Sequence, residues 1–275
     1  MNSETKVAGH YTRGRLEEAI LQALTQAGKD VAHLTAGDLA AADEFHLGGL
    51  QATEELAAQM ELRPGLHLLD VGSGIGGPAR YFAAEHGCTV DGIDLTEEFV
   101  QVAKSLTRLV KLDHLVQFRQ ASALQLPFEP GTFDRVYMIH VGMNIADKLA
   151  VYREVRRVLK AGGLFVVFDI MRTADGAMRF PVPWALSEET SFVAEVKSYR
   201  DALQQAGFHV ARERGRRAFA IEYTERMMLR TAQDGSPALG LHLLMGDKAP
   251  VMVGNLLAMM REGMLEPTEL FARAV

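Results

Sequence analysis

Several residue types and segments are scarce in this chain, and each scarcity excludes a class of protein. A single cysteine among 275 residues permits no internal disulfide, which is typical of a reducing compartment. No apolar run approaches the roughly 20 residues of a membrane-spanning helix, so we expect no membrane span. Basic residues are outnumbered by acidic ones, 29 to 35, which opposes the neutralisation of many phosphates. We therefore expect no nucleic-acid partner.

Two further absences concern targeting and metals. The opening stretch MNSETKVAGHYTRGR has no apolar core and mixes acidic with basic residues, so it resembles neither a secretory signal nor a transit peptide. We expect a cytoplasmic protein. No group of His, Cys, Asp and Glu has the spacing of metal ligands, and we expect no bound metal.

What the chain does contain is an alternation of short apolar strands and amphipathic helices. LHLLDV, CTVDGID, VQFRQ, FDRVYMIH and LFVVFDI predict strands. A helix over 78–86 ends at Gly87, Thr96 is the predicted N-cap of the next, and Gly162 and Gly163 stop the helix ADKLAVYREVRRVL. Strands and helices that alternate in this way predict a parallel, doubly wound α/β sheet with helices on both faces.

The two ends of the chain depart from this alternation. An amphipathic helix opens it, and helical, methionine-rich segments separate the last two strands. We divide the chain into an N-terminal helical segment or lid (1–60), a ligand-binding core (61–215), an inserted helical cap (216–264) and a last core strand (265–275). Such a cap is a place where substrate selectivity can reside.

The stretch LLDVGSGIGGPARYFA carries two overlapping nucleotide-binding signatures. Gly72, Gly74 and Gly77 fit the G-x-G-x-x-G pattern of dinucleotide enzymes, whereas Asp70 with Gly72, Gly74 and Gly76 fits D-x-G-x-G-x-G. A carboxylate just before the glycines repels a pyrophosphate and suits a ligand with an amino group and a sulfonium charge. Asp94 ends the next strand, where a carboxylate accepts hydrogen bonds from ribose hydroxyls. This combination favours S-adenosyl-L-methionine.

At these motifs the chain resembles the class I S-adenosylmethionine-dependent methyltransferases. LLDVGSGIGGPARYFA and VDGIDL are similar to the first two motifs of that superfamily. ASALQLPFEPGTFDRVYMIH, REVRRVLKAGGLFVVFD and ELFARAV continue the resemblance. DEFHLGG, MNIADKLAVYREVRRVLKAGG and FPVPWA resemble the glycine/sarcosine/dimethylglycine N-methyltransferase branch. The resemblance implies a Rossmann-like, mostly parallel seven-stranded sheet.

The resemblance also implies a set of cofactor contacts along the carboxyl ends of the strands. Glycines would lie against the methionine part, acids near its amino group and ribose, and Leu95 beside the adenine. Many relatives carry an acid for the adenine amino group where this chain has Ser122 and Ala123, so a charge-assisted bond would be lost there. The implied residues are Asp70, Gly72, Gly74, Gly76, Asp94, Leu95, Ser122, Ala123 and His140.

Candidates for the chemistry itself come from residues around the predicted cofactor. His46 and His140 are the candidate bases, His46 being equally compatible with a structural turn. Asn144 is a candidate substrate ligand or the cap of the following helix. Trp184 either contacts the acceptor or anchors its proline-rich loop, and Tyr11 either closes a lid or packs on the core.

These features predict an enzyme that transfers a methyl group to a small-molecule acceptor. An amine nitrogen is the expected acceptor atom, with carbon or oxygen of a larger apolar metabolite (isoprenoid, phenol or another natural product) as the alternative. A nicotinamide-dependent oxidoreductase and a non-catalytic cofactor-binding protein are the remaining hypotheses. The sequence leaves the oligomeric state open, a homo-oligomer included.

Overall fold

The computed structural model describes residues 3–12, 14–235, 237–240 and 242–275, and a seven-stranded sheet forms its centre. The strands are β1 (His67–Val71), β2 (Thr89–Asp94), β3 (Val116–Gln120), β4 (Phe133–Ile139), β5 (Leu159–Arg172), β6 (Phe208–Gly215) and β7 (Leu265–Ala274). Their order is β3-β2-β1-β4-β5-β7-β6, and β7 alone runs antiparallel to its neighbours. The predicted mostly parallel, doubly wound sheet is confirmed.

Helices cover both faces of this sheet and the ends of its strands. They are α1 (Ser3–Tyr11), α2 (Leu16–Gln26), α3 (Ala36–Asp43), α4 (Gly49–Ala57), α5 (Gly77–His86), α6 (Glu97–Leu109), α7 (Lys148–Val158), α8 (Val196–Gln205), α9 (Arg217–Asp234), α10 (His242–Met245) and α11 (Ala249–Arg261). Side chains of α4, α5 and α6 pack on one face of the sheet, and those of α7 and α8 pack on the other. Apolar burial on both faces explains why the central strands are almost continuously hydrophobic.

The local signals around the first two strands hold in the structure, with one difference. α5 ends at His86, and Gly87 closes it with a φ of 63°, as predicted. Thr96 precedes α6, but its side chain makes no capping hydrogen bond. Instead, the backbone N–H of Thr96 donates to Asp94 Oδ1 at 2.8 Å. Thr96 is therefore the N-cap residue of α6, as predicted, and Asp94 holds its backbone without capping the first N–H groups of the helix.

A second difference concerns the predicted stop between α7 and β5. α7 ends at Val158, and β5 begins at the next residue rather than after Gly162 and Gly163. Leu159 pairs with Phe133, and the register then shifts before Arg135 pairs with Leu164. The two glycines therefore lie within an irregular start of the strand, as is typical of a β-bulge.

The helices predicted between the last two strands are α9, α10 and α11. α11 packs on the Trp184 loop through Leu256, Leu257 and Met260, and α10 packs against α2. The inserted segment thereby contacts both the N-terminal helices and the loop after β5. Within the described part of the chain, no helix is both long and apolar enough to span a bilayer.

Candidate functional site

The glycine loop follows β1 at the point where the strand order reverses, between β1 and β4. The N–H groups of Gly72 and Ser73 both donate to the Ile93 carbonyl of β2 at 2.8 Å, which ties the loop to the neighbouring strand. Gly72 has a φ of 80°, and a Cβ there would collide with Val141. Gly74 has a φ of 52° with open space where a Cβ would be. The loop therefore presents bare backbone to whatever binds above it.

Asp94 connects this loop to the start of α6. Its Oδ2 atom accepts a hydrogen bond from the Gly74 N–H at 2.9 Å, and its Oδ1 atom accepts the one from Thr96. Burial raises the pKa of this carboxyl above its usual value, although the two backbone N–H groups oppose the rise. A carboxylate has about four lone-pair sites, so two remain for a ligand's hydroxyl groups.

Asp70 is a buried carboxylate that can accept further hydrogen bonds. Its side chain is 3 % exposed, and within the described part of the chain its Oδ2 atom has no hydrogen-bond partner. Burial, with a smaller contribution from the Asp94 charge, raises its pKa to about 8, and the neighbouring Tyr137 hydroxyl opposes the rise. A buried acid with an unpaired oxygen is costly for the fold, so its presence points to a binding role.

Gly76, the last of the three predicted glycines, lies against α5 and β3 rather than against the cavity. It has a φ of 88°, and a Cβ there would meet the Phe118 ring and the Arg80 guanidinium rather than open space. Gly76 does not line the cavity described next, unlike Gly72 and Gly74. Its observed contacts are those of a residue that lets α5 approach the sheet.

A cavity of about 1420 Å³ lies over the carboxyl ends of β1, β2 and β4. Its volume exceeds the roughly 300–1,000 Å³ of a typical small-molecule site, so it has room for two ligands. The wall on the cap side combines apolar side chains, several of them flexible thioethers that suit an adaptable surface, with charged ones. Its apolar residues on α9, α10 and α11 include Met227, Met228, Met245, Val253, Leu256 and Met260, and its charged or titratable residues include Arg226, Arg230, Asp234 and His242.

The structure brings most of the predicted site residues to this one cavity. Ser122 and Gly76 lie just behind its lining. The predicted residues that line it are Tyr11, His46, Asp70, Gly72, Gly74, Asp94, Leu95, Ala123, His140, Asn144 and Trp184. Their individual roles stay predictions.

His140 stands at the end of β4 in a strained conformation. Its φ is 55°, which is uncommon for a residue other than glycine, and its N–H donates to the Phe168 carbonyl at 2.7 Å. Its Nε2 atom is buried and has no hydrogen-bond partner among the described residues. Burial, with the neighbouring His46, holds the pKa of His140 well below its usual value. The imidazole is therefore neutral and has a free nitrogen.

His46 lies beside His140, with 6.0 Å between the ring centroids, but its ring is already engaged. Its Nε2 atom is 3.2 Å from the Thr53 hydroxyl, which donates to Glu44 Oε2 at 2.6 Å. Burial lowers the pKa of His46 to about 4 and raises that of Glu44 to about 8. Sequence reasoning missed Glu44 and Thr53, although Glu44 lies in the quoted stretch DEFHLGG.

Tyr11, Asn144 and Trp184 form a connected group at the methionine-rich side. The Tyr11 hydroxyl donates to Asn144 Oδ1 at 3.0 Å, and Asn144 Nδ2 donates to the Trp184 and Thr190 carbonyls. Trp184 is only 1 % exposed, and its indole N–H donates to a serine, so it anchors its loop. Asp147, not Asn144, caps α7 by accepting the Ala150 N–H.

Ser122, which follows β3, contacts a residue of the N-terminal helix α1. Its hydroxyl donates to the Glu4 carboxylate of α1 and accepts the Leu124 N–H at 3.1 Å. Glu4 lines the cavity, and sequence reasoning gave it no role. Among the residues that the structure describes, no group of three or more His, Cys, Asp or Glu is arranged to hold a metal ion.

Comparison with known proteins agrees with this geometry. Residues 69–167 match a family model described as a methyltransferase domain. Cycloartenol-C-24-methyltransferase 1 of Oryza sativa subsp. japonica is 37% identical over 114 residues, which are 42% of this chain and 33% of that protein. Sarcosine/dimethylglycine N-methyltransferase of Halorhodospira halochloris is 32% identical over 151 residues, 54% of this chain and 53% of the relative. The chain thus spans about a third to a half of these relatives' lengths.

The fold has a full-length counterpart among solved structures. Geranyl diphosphate C-methyltransferase from Streptomyces coelicolor A3(2) superimposes with a TM-score of 0.72 over 100% of this chain and 99% of that one, at 16% identity. Identity this low establishes the fold and nothing finer. Residues 69–167 thus match a methyltransferase domain, and the chain as a whole shares the fold of this solved methyltransferase.

Proposed function

We propose that this chain is an S-adenosylmethionine-dependent methyltransferase of small molecules. The observation that carries the proposal is the buried Asp70 carboxylate, which lines the cavity with an unpartnered oxygen beside the open backbone of Gly74. In its ionised form such a carboxylate attracts an ammonium or sulfonium ion and repels a pyrophosphate. The same observation argues against a nicotinamide dinucleotide, whose pyrophosphate would have to lie on this loop.

The residues that line the cavity fit the methionine part, the ribose and the methyl group of the cofactor. Asp70 would hold the amino group of its methionine part, Asp94 would accept the ribose hydroxyls, and His140 would face its methyl end. When bound, S-adenosylmethionine supplies a methyl group already activated on a sulfonium. The protein's part is to align the acceptor, exclude water and receive any proton that the acceptor loses.

The raised pKa of Asp70 makes cofactor binding depend on pH. With a pKa of about 8, the carboxyl is mostly protonated at pH 7 in the free protein, and pairing with an ammonium favours its ionised form. We expect the release of about one proton on binding S-adenosylhomocysteine at pH 7, and an affinity that falls up to about tenfold per pH unit below 8. Calorimetry in buffers of different ionisation enthalpy measures the released proton. Asp70→Asn should release none, and equal release by both proteins would contradict the assignment.

His140 is the group that we propose as proton acceptor. Its Nε2 atom is the free nitrogen at the end of β4, whereas the His46 ring is engaged by Thr53. Burial keeps His140 neutral but also makes it a weak base, so its Nε2 suits an acceptor whose proton becomes strongly acidic on methylation. His46, whose ring makes a T-shaped contact with that of His140, would then orient it.

The His140→Asn substitution tests this role without disturbing the backbone, since asparagine tolerates a positive φ. We expect kcat to fall by about 100-fold or more while the Kd for S-adenosylhomocysteine changes less than about threefold. The exposed His114→Asn variant should keep both values. A His140→Asn enzyme with undiminished kcat would remove His140 from the chemistry.

The acceptor that the cavity fits best is an apolar metabolite larger than an amino acid, methylated on carbon or oxygen. The methionine, leucine and valine side chains of the cap-side wall support this, because apolar surface gains free energy by burying an apolar ligand. An amine nitrogen is the second candidate. It is favoured by the similarity of residues in this chain to a sarcosine/dimethylglycine N-methyltransferase.

Two measurements on the intact chain test the proposed function. Calorimetry should show binding of S-adenosylhomocysteine and none of NADH; the reverse would establish the dinucleotide alternative. Release of S-adenosylhomocysteine is then followed over a library of phenols, isoprenoids and amines. Turnover with apolar compounds alone supports the preferred acceptor, and turnover with amines alone supports the second. Cofactor binding without any turnover would point to the non-catalytic alternative.

A further inference from the structure

The N-terminal helix α1 forms part of the cavity wall. Glu4, Val7 and Tyr11 are spaced three and four residues apart, so they share one face of the helix, and all three line the cavity. Tyr11 is held at the methyl end by its hydrogen bond to Asn144. Glu4 is held at the other end by Ser122. The helix therefore spans the site from the end of β4 to the end of β3.

The order of the strands indicates which part of the cofactor lies beneath Glu4. β2 stands between β1 and β3, and Asp94 at its end is the proposed ribose ligand. The methionine part runs from there toward β1 and β4, so the base must point the other way, toward the residues after β3. Those residues are held to β2 by the hydrogen bond from the Ala121 N–H to the Asp94 carbonyl at 3.1 Å. Ala121, Ala123 and Leu124 all line the cavity.

The chemistry at this end matches the polar edge of adenine. Adenine carries an exocyclic amino group, which is a hydrogen-bond donor and needs an acceptor. Ser122 points its hydroxyl toward Glu4, so its proton is already used. A carboxylate can accept several hydrogen bonds, and the one from Ser122 leaves capacity on Glu4. A hydrogen bond to a charged acceptor is stronger than one to a neutral hydroxyl.

We propose that Glu4 binds the exocyclic amino group of the cofactor's base, with Ser122 orienting its carboxylate. The inference rests on the proposed function. It makes Glu4 a specificity-determining residue that selects adenine over a base with a carbonyl at the same position. It also makes α1 a structural part of the cofactor site, supplied from 118 residues away along the chain.

The test compares two ligands that differ only along this edge of the base. S-adenosylhomocysteine presents an amino donor beside an N1 acceptor, and S-inosylhomocysteine presents a carbonyl acceptor, which a carboxylate repels, beside an N1–H donor. We expect the wild-type chain to bind the adenosine ligand about 10- to 100-fold more tightly by calorimetry. In Glu4→Gln the amide offers a donor to the carbonyl, so the preference should shrink to about threefold or less. Ser122→Ala should reduce the preference by a smaller factor.

A matched control separates recognition of the base from simple docking of the helix. Lys6 lies on the same helix, and its exposed ion pair with Glu189 at 2.8 Å joins α1 to the rest of the chain. Lys6→Ala should keep the wild-type preference for the adenosine ligand, whatever its effect on overall affinity.

The possible outcomes distinguish this inference from the function on which it rests. If Glu4→Gln weakened the binding of both ligands by the same factor, Glu4 would only hold α1 against the rest of the domain, and the inference would be wrong. If the wild-type chain bound both ligands equally, the inference would also be wrong while cofactor binding stood. If the wild-type chain bound neither ligand, the proposed function itself would fail.

Discussion

The Asp94→Ala variant should lose S-adenosylhomocysteine binding by at least about 100-fold. Asp94 would accept two ribose hydroxyls, and a hydrogen bond to a charged group contributes about 1.5–3 kcal/mol. The substitution also frees the N–H groups of Gly74 and Thr96, which Asp94 now holds at 2.9 and 2.8 Å. The glycine loop would then lose one of its three hydrogen bonds to β2. Calorimetry measures the affinity, and the shift of melting temperature with ligand provides an independent readout.

The matched control is Asp91→Ala on the same strand. Asp91 points away from the cavity and pairs with His67 at 2.8 Å and Arg119 at 3.4 Å. We expect this variant to bind within about twofold of the wild type, since surface ion pairs contribute about 0–1 kcal/mol to the fold and nothing to the ligand. Equal binding by Asp94→Ala and the wild type would reject the ribose assignment.

The Arg80→Met variant should be destabilised by about 3–5 kcal/mol in urea unfolding. Arg80 is completely buried, and its guanidinium donates to Asp43 Oδ2 at 2.7 Å, the Ile75 carbonyl at 2.6 Å and the Thr107 hydroxyl at 2.9 Å. It thus joins α3, the glycine loop and α6. Removing one partner of a buried ion pair leaves the other charge uncompensated, which is the main cause of the loss.

A second substitution separates the charge effect from lost packing. The double variant Arg80→Met/Asp43→Asn removes both charges of this buried pair. We expect its free energy of unfolding to exceed that of the single variant by at least about 1 kcal/mol. The exposed Arg153→Met on α7 should stay within about 0.5 kcal/mol of the wild type. A single Arg80→Met variant as stable as Arg153→Met would show that the pair contributes nothing.

Local sequence rules predicted the central part of the site correctly. The glycines at 72 and 74, the acid that precedes them and the acid that ends the next strand all line one cavity. They were predictable because a loop between a parallel strand and its helix is short, so neighbouring residues in sequence stay neighbours in space. The positive φ at Gly72 and the clash that any Cβ would meet there belong to the same local geometry.

The same rules were wrong or silent where a residue from another element competes. Thr96 is the N-cap residue of α6, as expected, but its side chain makes no capping hydrogen bond. Glycines 162 and 163 were expected to separate α7 from β5, yet pairing of Leu159 with Phe133 starts the strand before them. In the second case a contact across the sheet outweighs a preference of about 1 kcal/mol within one segment.

The sequence by itself determined the class of fold, the glycine loop and the two acids, because strand period, helix caps and turn glycines act over a few residues. Only the tertiary structure decided that Glu4 meets Ser122, that Thr53 engages His46 and so leaves His140 with the free nitrogen, and that methionine-rich cap helices line the cavity. These contacts join residues from separate elements, and burial sets their charges. No spacing in the chain encodes such contacts, since they exist only when the sheet, α1 and the inserted helices pack together.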